Sequence, residues 1–564
     1  NDPGHNHFFT DSFLWEDNQH FPLPFYESHL GNYGSASRAL VPRIRWEPGF
    51  RSGWDQYDPY YLEPDSFPYY NQNVPVAKVK YSQASQEDTY LTLDFGRTFA
   101  RGISISIVYD RLNQIGEFGH QRQKNTALGV GLWHSAPSGK YDAFYNFIAN
   151  AAVSEENGGI SAPELIGDTL YPNISVPVFL TSGMTTHKHR MFLTKQILHL
   201  LADTSSLGID IWMQARYSTS LYKYADDDPS NTNYYGNFLT DDRGIRQFTF
   251  LKENDFSAGV SLPWRSARST IQSSLRYRSI NVDQEPDENK ITELFWESSG
   301  EFQWVEPLKL KGEMSIGLGE ADGNFLFRAE GNLNTGLVGK FLGYYSILGR
   351  KPYLIEESLF VNQQPVYQTA FKNPVTNEIG LQWEWEKQDL IAGIKWFVFD
   401  NLILFDTGSL PRQIGNSLSL RQFHAEKTFD FDWIGVSGKF IWQPDSRREL
   451  ALPDLIYKTS LYGRFRLFKQ KLNVMPGMDV VYHSSFNGVS YFPVNGRFHL
   501  TNGPDIKEYF RVDAAIGIRI NFLKAFVRIE DLVGLWEDRV LYQADFYPHY
   551  PGYIRFGFTA GFFN

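Results

Sequence analysis

Phe510-Arg511-Val512-Asp513-Ala514-Ala515-Ile516-Gly517-Ile518-Arg519-Ile520-Asn521 reads as two interleaved series. Phe510, Val512, Ala514, Ile516, Ile518 and Ile520 fall on one face; Arg511, Asp513, Ala515, Gly517, Arg519 and Asn521 fall on the other. A period of two marks a β-strand with one apolar and one polar face. After a turn near Asn521 and Phe522 the pattern resumes, with Leu523, Ala525, Val527 and Ile529 opposing Lys524, Phe526, Arg528 and Glu530. A polar-aromatic loop follows. In the last strand Ile554, Phe556, Phe558, Ala560 and Phe562 oppose Arg555, Gly557, Thr559, Gly561 and Phe563. A soluble sheet with one wet face also alternates. Here each apolar stripe is long enough to cross a bilayer at about 10 residues per tilted strand, and the charges keep to the other face. The segment reads as the closing part of an outer-membrane β-barrel.

Composition agrees. The 564 residues accommodate several soluble domains or one large barrel. Aromatics make up 16% of them (45 Phe, 32 Tyr, 14 Trp), although mean hydropathy is −0.37. A barrel uses such rings as girdles at both membrane interfaces. No run of about 18 apolar residues occurs, which excludes a transmembrane helix but not barrel strands, since these show lipid only every second residue. The absence of cysteine excludes disulfides, Cys-ligated zinc and thiol nucleophiles. A net charge of −11 and a pI near 5.7 make nucleic acid a poor partner. With Asn1 first and no charged, apolar leader, the expectation is a processed, mature chain.

Residues 1–75 differ in kind. Trp46-Glu47-Pro48, Trp54 to Tyr61 and Phe67-Pro68-Tyr69-Tyr70 are rich in Pro, Asp and aromatics without a sustained period. The expectation is an irregular N-terminal arm, either extended in the periplasm or anchored at the barrel mouth, too short and irregular to be the folded plug of a TonB-dependent transporter. Trp46, Trp54, Tyr57, Tyr60, Tyr61, Tyr69 and Tyr70 are its candidate partner-binding residues, since large aromatics anchor interfaces. Alternation begins at Val76 and continues to the end, so residues 76–564 form the transmembrane barrel. It has about 22 strands by pattern, within roughly 16 to 22 given the error of such boundaries. Short connections such as Ala136-Pro137-Ser138-Gly139, Asn334-Thr335-Gly336 and Lys469-Gln470 alternate with long ones at 154–187, 223–245, 348–379, 401–416, 485–507 and 533–551. Counting back from a periplasmic C-terminus, the long ones fall outside and the short ones inside.

The polar faces of the clearest strands carry Arg216, Gln272, Arg276, Arg278, Lys458, Arg464, Arg466, Asp479, Arg511, Asp513, Arg519, Lys524, Arg528, Glu530 and Arg555. Lipid excludes such groups, so they are expected to line the lumen. The set leans basic, while acidic residues gather in long segments such as Asp226-Asp227-Asp228 and Asp241-Asp242. Two readings follow: a lumen that prefers anions behind an acidic rim, or Arg–carboxylate ladders that brace the wall.

Several segments carry a family resemblance. They are Gly31-Asn32-Tyr33-Gly34-Ser35, Ser154-Glu155-Glu156-Asn157-Gly158-Gly159-Ile160, Gly477-Met478-Asp479-Val480-Val481-Tyr482-His483 and Tyr491-Phe492-Pro493-Val494. Val512 to Ile516, Phe526 to Asp531, Tyr547-Pro548 and Ile554 to Phe558 complete the set. In order and spacing the chain resembles the putative porins of Bacteroidota outer membranes. It departs from many outer-membrane barrels in ending Phe562-Phe563-Asn564 rather than on an aromatic residue. The resemblance implies a barrel integral to the outer membrane of a Gram-negative bacterium, in contact with its lipid, including lipopolysaccharide. It carries over no catalytic residue.

Catalytic and metal motifs do not assemble. His187 and His189 sit two apart as strand-borne ligands would, but a loop-edge position is the expected one. His5 and His7 offer adventitious metal binding only. Asp226-Asp227-Asp228 with Asn231 and Asn233 has the composition of a calcium loop without the Gly and terminal Glu at the required spacing. Ser315-Ile316-Gly317-Leu318-Gly319 lacks the strand–turn–helix setting of a phosphate cradle. No Gly-x-Ser-x-Gly elbow stands beside a base. The expectation is a non-enzyme without cofactor or metal: a porin-like channel for passive diffusion of small hydrophilic solutes, with anion preference as one reading of its lumen, or else an accessory barrel docking partners of an outer-membrane complex through its arm and loops.

Overall fold

The computed structural model describes residues 23–563 apart from 71–73, 85–86, 100–101, 169, 201–207, 230–231, 237, 239, 265–267, 445, 447–448, 470, 538 and 550–551. His5, His7 and Asn231 lie outside the described residues. Every alternating stretch from Val76 onward forms a strand, and 22 antiparallel strands close into one barrel. The last strand, Ile554–Phe563, pairs with the first, Val76–Gln83, so the sheet has no edge. Closure meets the demand of lipid that each backbone N–H and C=O find a partner within the wall.

The outer face bears the apolar series. In the strand Tyr509–Ile520, Phe510, Ile516, Ile518 and Ile520 are exposed while Asp513 is buried inside. The rings Phe99, Trp264, Phe429, Phe431, Trp433, Phe468 and Phe522, all exposed, mark the interface at one end of the wall. At that end the connections are short, as at 136–140, 306–307, 335–339 and 521–522. The other end has short connections at 84–88 and 285–286 and bears the long ones, at 157–182, 227–244, 350–374, 401–417, 484–508 and 530–553, four of which fold back as small hairpins.

Several strands run further than alternation indicates, most of them toward the long loops. The strand Ile245–Trp264 has 20 residues, enough to rise about 45 Å when tilted, whereas an apolar band is about 25 Å tall. Its outward residues are apolar from Phe256 to Trp264 and then turn polar at Asn254 and Lys252. The wall therefore stands above the bilayer on the long-loop side, where water and not lipid sets the pattern.

Residues 23–70 lie inside the barrel, packed against its lumenal wall and the inner side of the long loops, and are not extended in the periplasm. Their only regular pairing is a short hairpin, Glu27–His29 with Ser37–Ala39. Asn32 donates to the Gln121 carbonyl at 2.7 Å, and Asn125 donates to the Gly34 carbonyl at 3.0 Å. The chain then descends along the wall to Tyr70, whose N–H donates to Ser106 Oγ at 3.0 Å. Glycines on the lumenal face make room for it. A Cβ at Gly131 would lie 2.3 Å from the Phe67 ring, and one at Gly96 2.2 Å from Tyr70. The physical cause is width, since wall side chains alone do not fill a 22-stranded lumen.

Candidate functional site

The arm's aromatics are spent on this chain's own wall. Trp54 stacks on Tyr222 with centroids 4.7 Å apart and donates Nε1–H to the Asn495 carbonyl at 2.9 Å. Tyr57, fully buried, lies 3.0 Å from Ser154 Oγ and donates to Glu156 at 3.4 Å. Tyr61 meets His187 Nδ1 at 3.0 Å. Tyr69 sits edge-on to Phe144, and Tyr60 packs beside Tyr57 and Leu30. Trp46 lines the main lumenal cavity. None of these seven rings is exposed. His187 and His189 belong to the strand Gly183–His199 and face the lumen, not a loop edge.

The arm and the long loops share an apolar core. Trp54 joins Leu180, Tyr235, Phe238, Ile355, Phe405 and Phe492, drawn from five connections on the long-loop side. Two of the segments that carried the family resemblance meet in an adjoining core, where Tyr491 and Tyr547 pack with Leu30, Tyr57 and Ala152.

The lumenal charges are paired. Arg216 Nη2 lies 2.6 Å from Asp255 and 3.1 Å from Glu253. Arg276 reaches Asp255 at 2.8 Å and Glu47 of the arm at 2.9 Å; Arg278 reaches Glu253 at 2.9 Å and Glu293 at 2.8 Å. A second cluster holds Arg528 at 2.5 Å from Asp513 and 3.1 Å from Asp479, with Arg511 and Lys458 beside the same carboxylates. In a third, Arg555 bridges Glu530 at 2.7 Å and Asp88. Gln272 lines the main cavity. Arg519 and Lys524 face each other in register near the short-turn end. Arg464 pairs with Asp430 close to that rim, and Arg466 is exposed in the strand Phe465–Leu467. The basic stripe is thus largely neutralised by acids that a search for cations passes over. Glu253 and Asp255 were legible from period two, since they share a face and Asp255 stands opposite Arg216. Glu47 was not, because the arm has no period.

Asp226 accepts from Tyr235 and Ser182, and Asp227 pairs with Arg246 at 3.0 Å. These carboxylates are engaged by groups of this loop, the neighbouring loop and the adjoining strand, and among the described residues no cluster of three or more His, Asp or Glu has metal-binding geometry.

What remains open is a set of cavities beside the arm. The largest, about 660 Å³, lies between arm residues 45–65 and the wall bearing Arg216, Gln272, Arg276 and Glu297. A second, about 480 Å³, separates Pro24–Glu27 from Lys395, His424, Glu426 and Lys439. A third, about 300 Å³, lies beneath the loops around Leu402–Phe405 and Arg497–Leu500. Two arm carboxyls titrate unusually here. Burial pushes Glu27 up to about 7 against the pull of Arg43, and burial pushes Asp58 up to about 6 against Arg45. Burial also acts to raise Glu47, but Arg276 and Arg51 outweigh it and hold that carboxyl well below the usual range.

Known structures share the fold. The FrpB iron transporter from Neisseria meningitidis superposes with a TM-score of 0.60 at 10% identity, over 87% of this chain and 82% of that one. A mutant form of the ferric enterobactin receptor from Pseudomonas aeruginosa gives 0.59 at 10% identity, over 87% and 80%. The siderophore receptor PirA from Acinetobacter baumannii gives 0.59 at 10%, over 88% and 81%. At such identity the likeness is one of fold. No curated protein matches the sequence. A family profile described as "Putative porin" matches residues 21–564, so the chain belongs to that family, as an integral outer-membrane barrel of the transport class.

Proposed function

We propose that the protein passes small hydrophilic solutes passively across the outer membrane of a Gram-negative bacterium, along a lumen that its own arm narrows without sealing. The observation that carries this reading is the set of cavities beside the arm, the one between the arm and the Arg216–Arg276 wall lined chiefly by polar and charged groups, inside a wall whose charges are already compensated. Anion preference is not part of the proposal, because the lumenal guanidinium groups are held by carboxylates. A second reading rests on a different observation. The apolar core joining the arm to five loops would suit an accessory barrel whose lumen stays shut. Single-channel recording in a planar bilayer separates them. Steady ohmic steps from the intact chain are the expected result. Steps only after deletion of residues 1–75 would make the arm a plug, and silence from both forms would leave the accessory barrel.

A further inference from the structure

The third cavity lies beneath the outer loops, and the largest lies deeper, against the mid-wall. Four residues line both: Arg45, Asp55, Asp58 and Tyr353. Three of the four belong to the arm. Arg45 is bonded to Asp58 and lies 2.9 Å from Glu63. Asp55 is held at 2.6 Å by Arg497, which comes from the loop at 484–508. Tyr353, in the loop at 350–374, lies 3.6 Å beneath the Arg350 guanidinium, which fixes the ring. Half of the Asp55 side chain remains exposed, as do 28% of Arg45 and 15% of Asp58. These charges are compensated and still in contact with the water of the lumen.

We infer that this cluster is the selectivity constriction of the solute path, so that the arm, and not the wall, sets what passes. This rests on the channel reading given above. Carboxylates and guanidinium groups of opposite sign stand within a few ångströms of each other at a junction bounded by low-dielectric protein. A field of that kind aligns a solute carrying both charges or a strong dipole, and it opposes a compact ion of either single sign. The solute class it fits is small and zwitterionic or uncharged-polar. The wall cluster around Asp255 lines only the inner cavity and takes no part in the choice.

The test uses the full-length barrel in a planar bilayer under a salt gradient, with the anion-to-cation permeability ratio as readout. Asp55→Asn and Asp58→Asn are each expected to raise the ratio about threefold, and Arg45→Gln to lower it by a similar factor. The chain has no cysteine, so Asp55→Cys gives a second measurement without background. A positively charged thiol reagent is expected to cut conductance through that variant by more than half and to leave the parent unchanged. If the parent conducts while all three ratios match it and the Asp55→Cys variant ignores the reagent, the constriction lies elsewhere and the inference falls, with the channel reading intact. A silent parent overturns the channel reading itself.

Discussion

Asp255 holds two guanidinium groups at once, and its side chain is almost completely buried. Replacing it by alanine would leave Arg216 and Arg276 short of an acceptor inside the wall. Breaking a buried pair in this way costs about 3–5 kcal/mol, far more than the pair contributes when intact. Asp255→Ala is therefore expected to lower the temperature at which the barrel loses its heat-modifiable mobility on a denaturing gel, and Asp255→Asn to lower it less. Glu27 carries a pH effect of known sign. Folded, its buried carboxyl keeps its proton up to about pH 7; unfolded, it releases it near 4.5. The folded arm binds the extra proton, so this stabilisation is complete below pH 4.5 and is lost as pH rises to 7. Asp58 adds in the same direction between 3.8 and about 6. Hydrogen exchange corrected for intrinsic rates is expected to show the arm held on the order of 2 kcal/mol more tightly at pH 5 than at pH 8. Glu27→Gln should remove the upper part of that slope, and an unchanged slope would rule out Glu27 as its source.

At the scale of elements, the seat of the arm is cut into the wall by small residues. Leu128-Gly129-Val130-Gly131-Leu132 alternates apolar outward and glycine inward, and Phe67 lies in the groove so formed. Gly131→Val is expected to expel Phe67 while leaving the strand Gln123–Ser135 in place. Protease should then cleave within residues 44–70 of the variant in intact vesicles and spare the parent; equal resistance would show that the groove does not hold the arm. Trp54→Ala removes a ring from the shared core at an expected cost of about 3–5 kcal/mol to arm docking, measurable by the same digestion. The alternation of strand 123–135 was plain in the sequence. The purpose of its glycines was not, because a glycine facing inward reads the same whether it adjoins water or a ring contributed by residue 67.

For the whole molecule, the lipid face predicts its own test. Leu275 is 55% exposed on the apolar band of the strand Ser269–Gln284. Leu275→Arg is expected to cost about 2–4 kcal/mol in a bilayer-reconstituted folding titration, while a charge at Ser279, above the band, should cost little. The sequence by itself determined the barrel, a strand number of about 22 within a range of 16 to 22, which end bears the long loops and which residues face lipid. All of these follow from a period of two, and that period is enforced locally, by the contrast between hydrocarbon on one side of each strand and a polar lumen on the other. Only the tertiary structure decided that the arm lies inside the barrel, that Glu47 completes the charge cluster of Arg276, and that Arg45, Asp55 and Asp58 stand at the junction of two cavities. The Glu47–Arg276 contact joins residues 229 positions apart, and the arm is an aperiodic segment, where no repeat imposed by a surrounding medium records which partner is met.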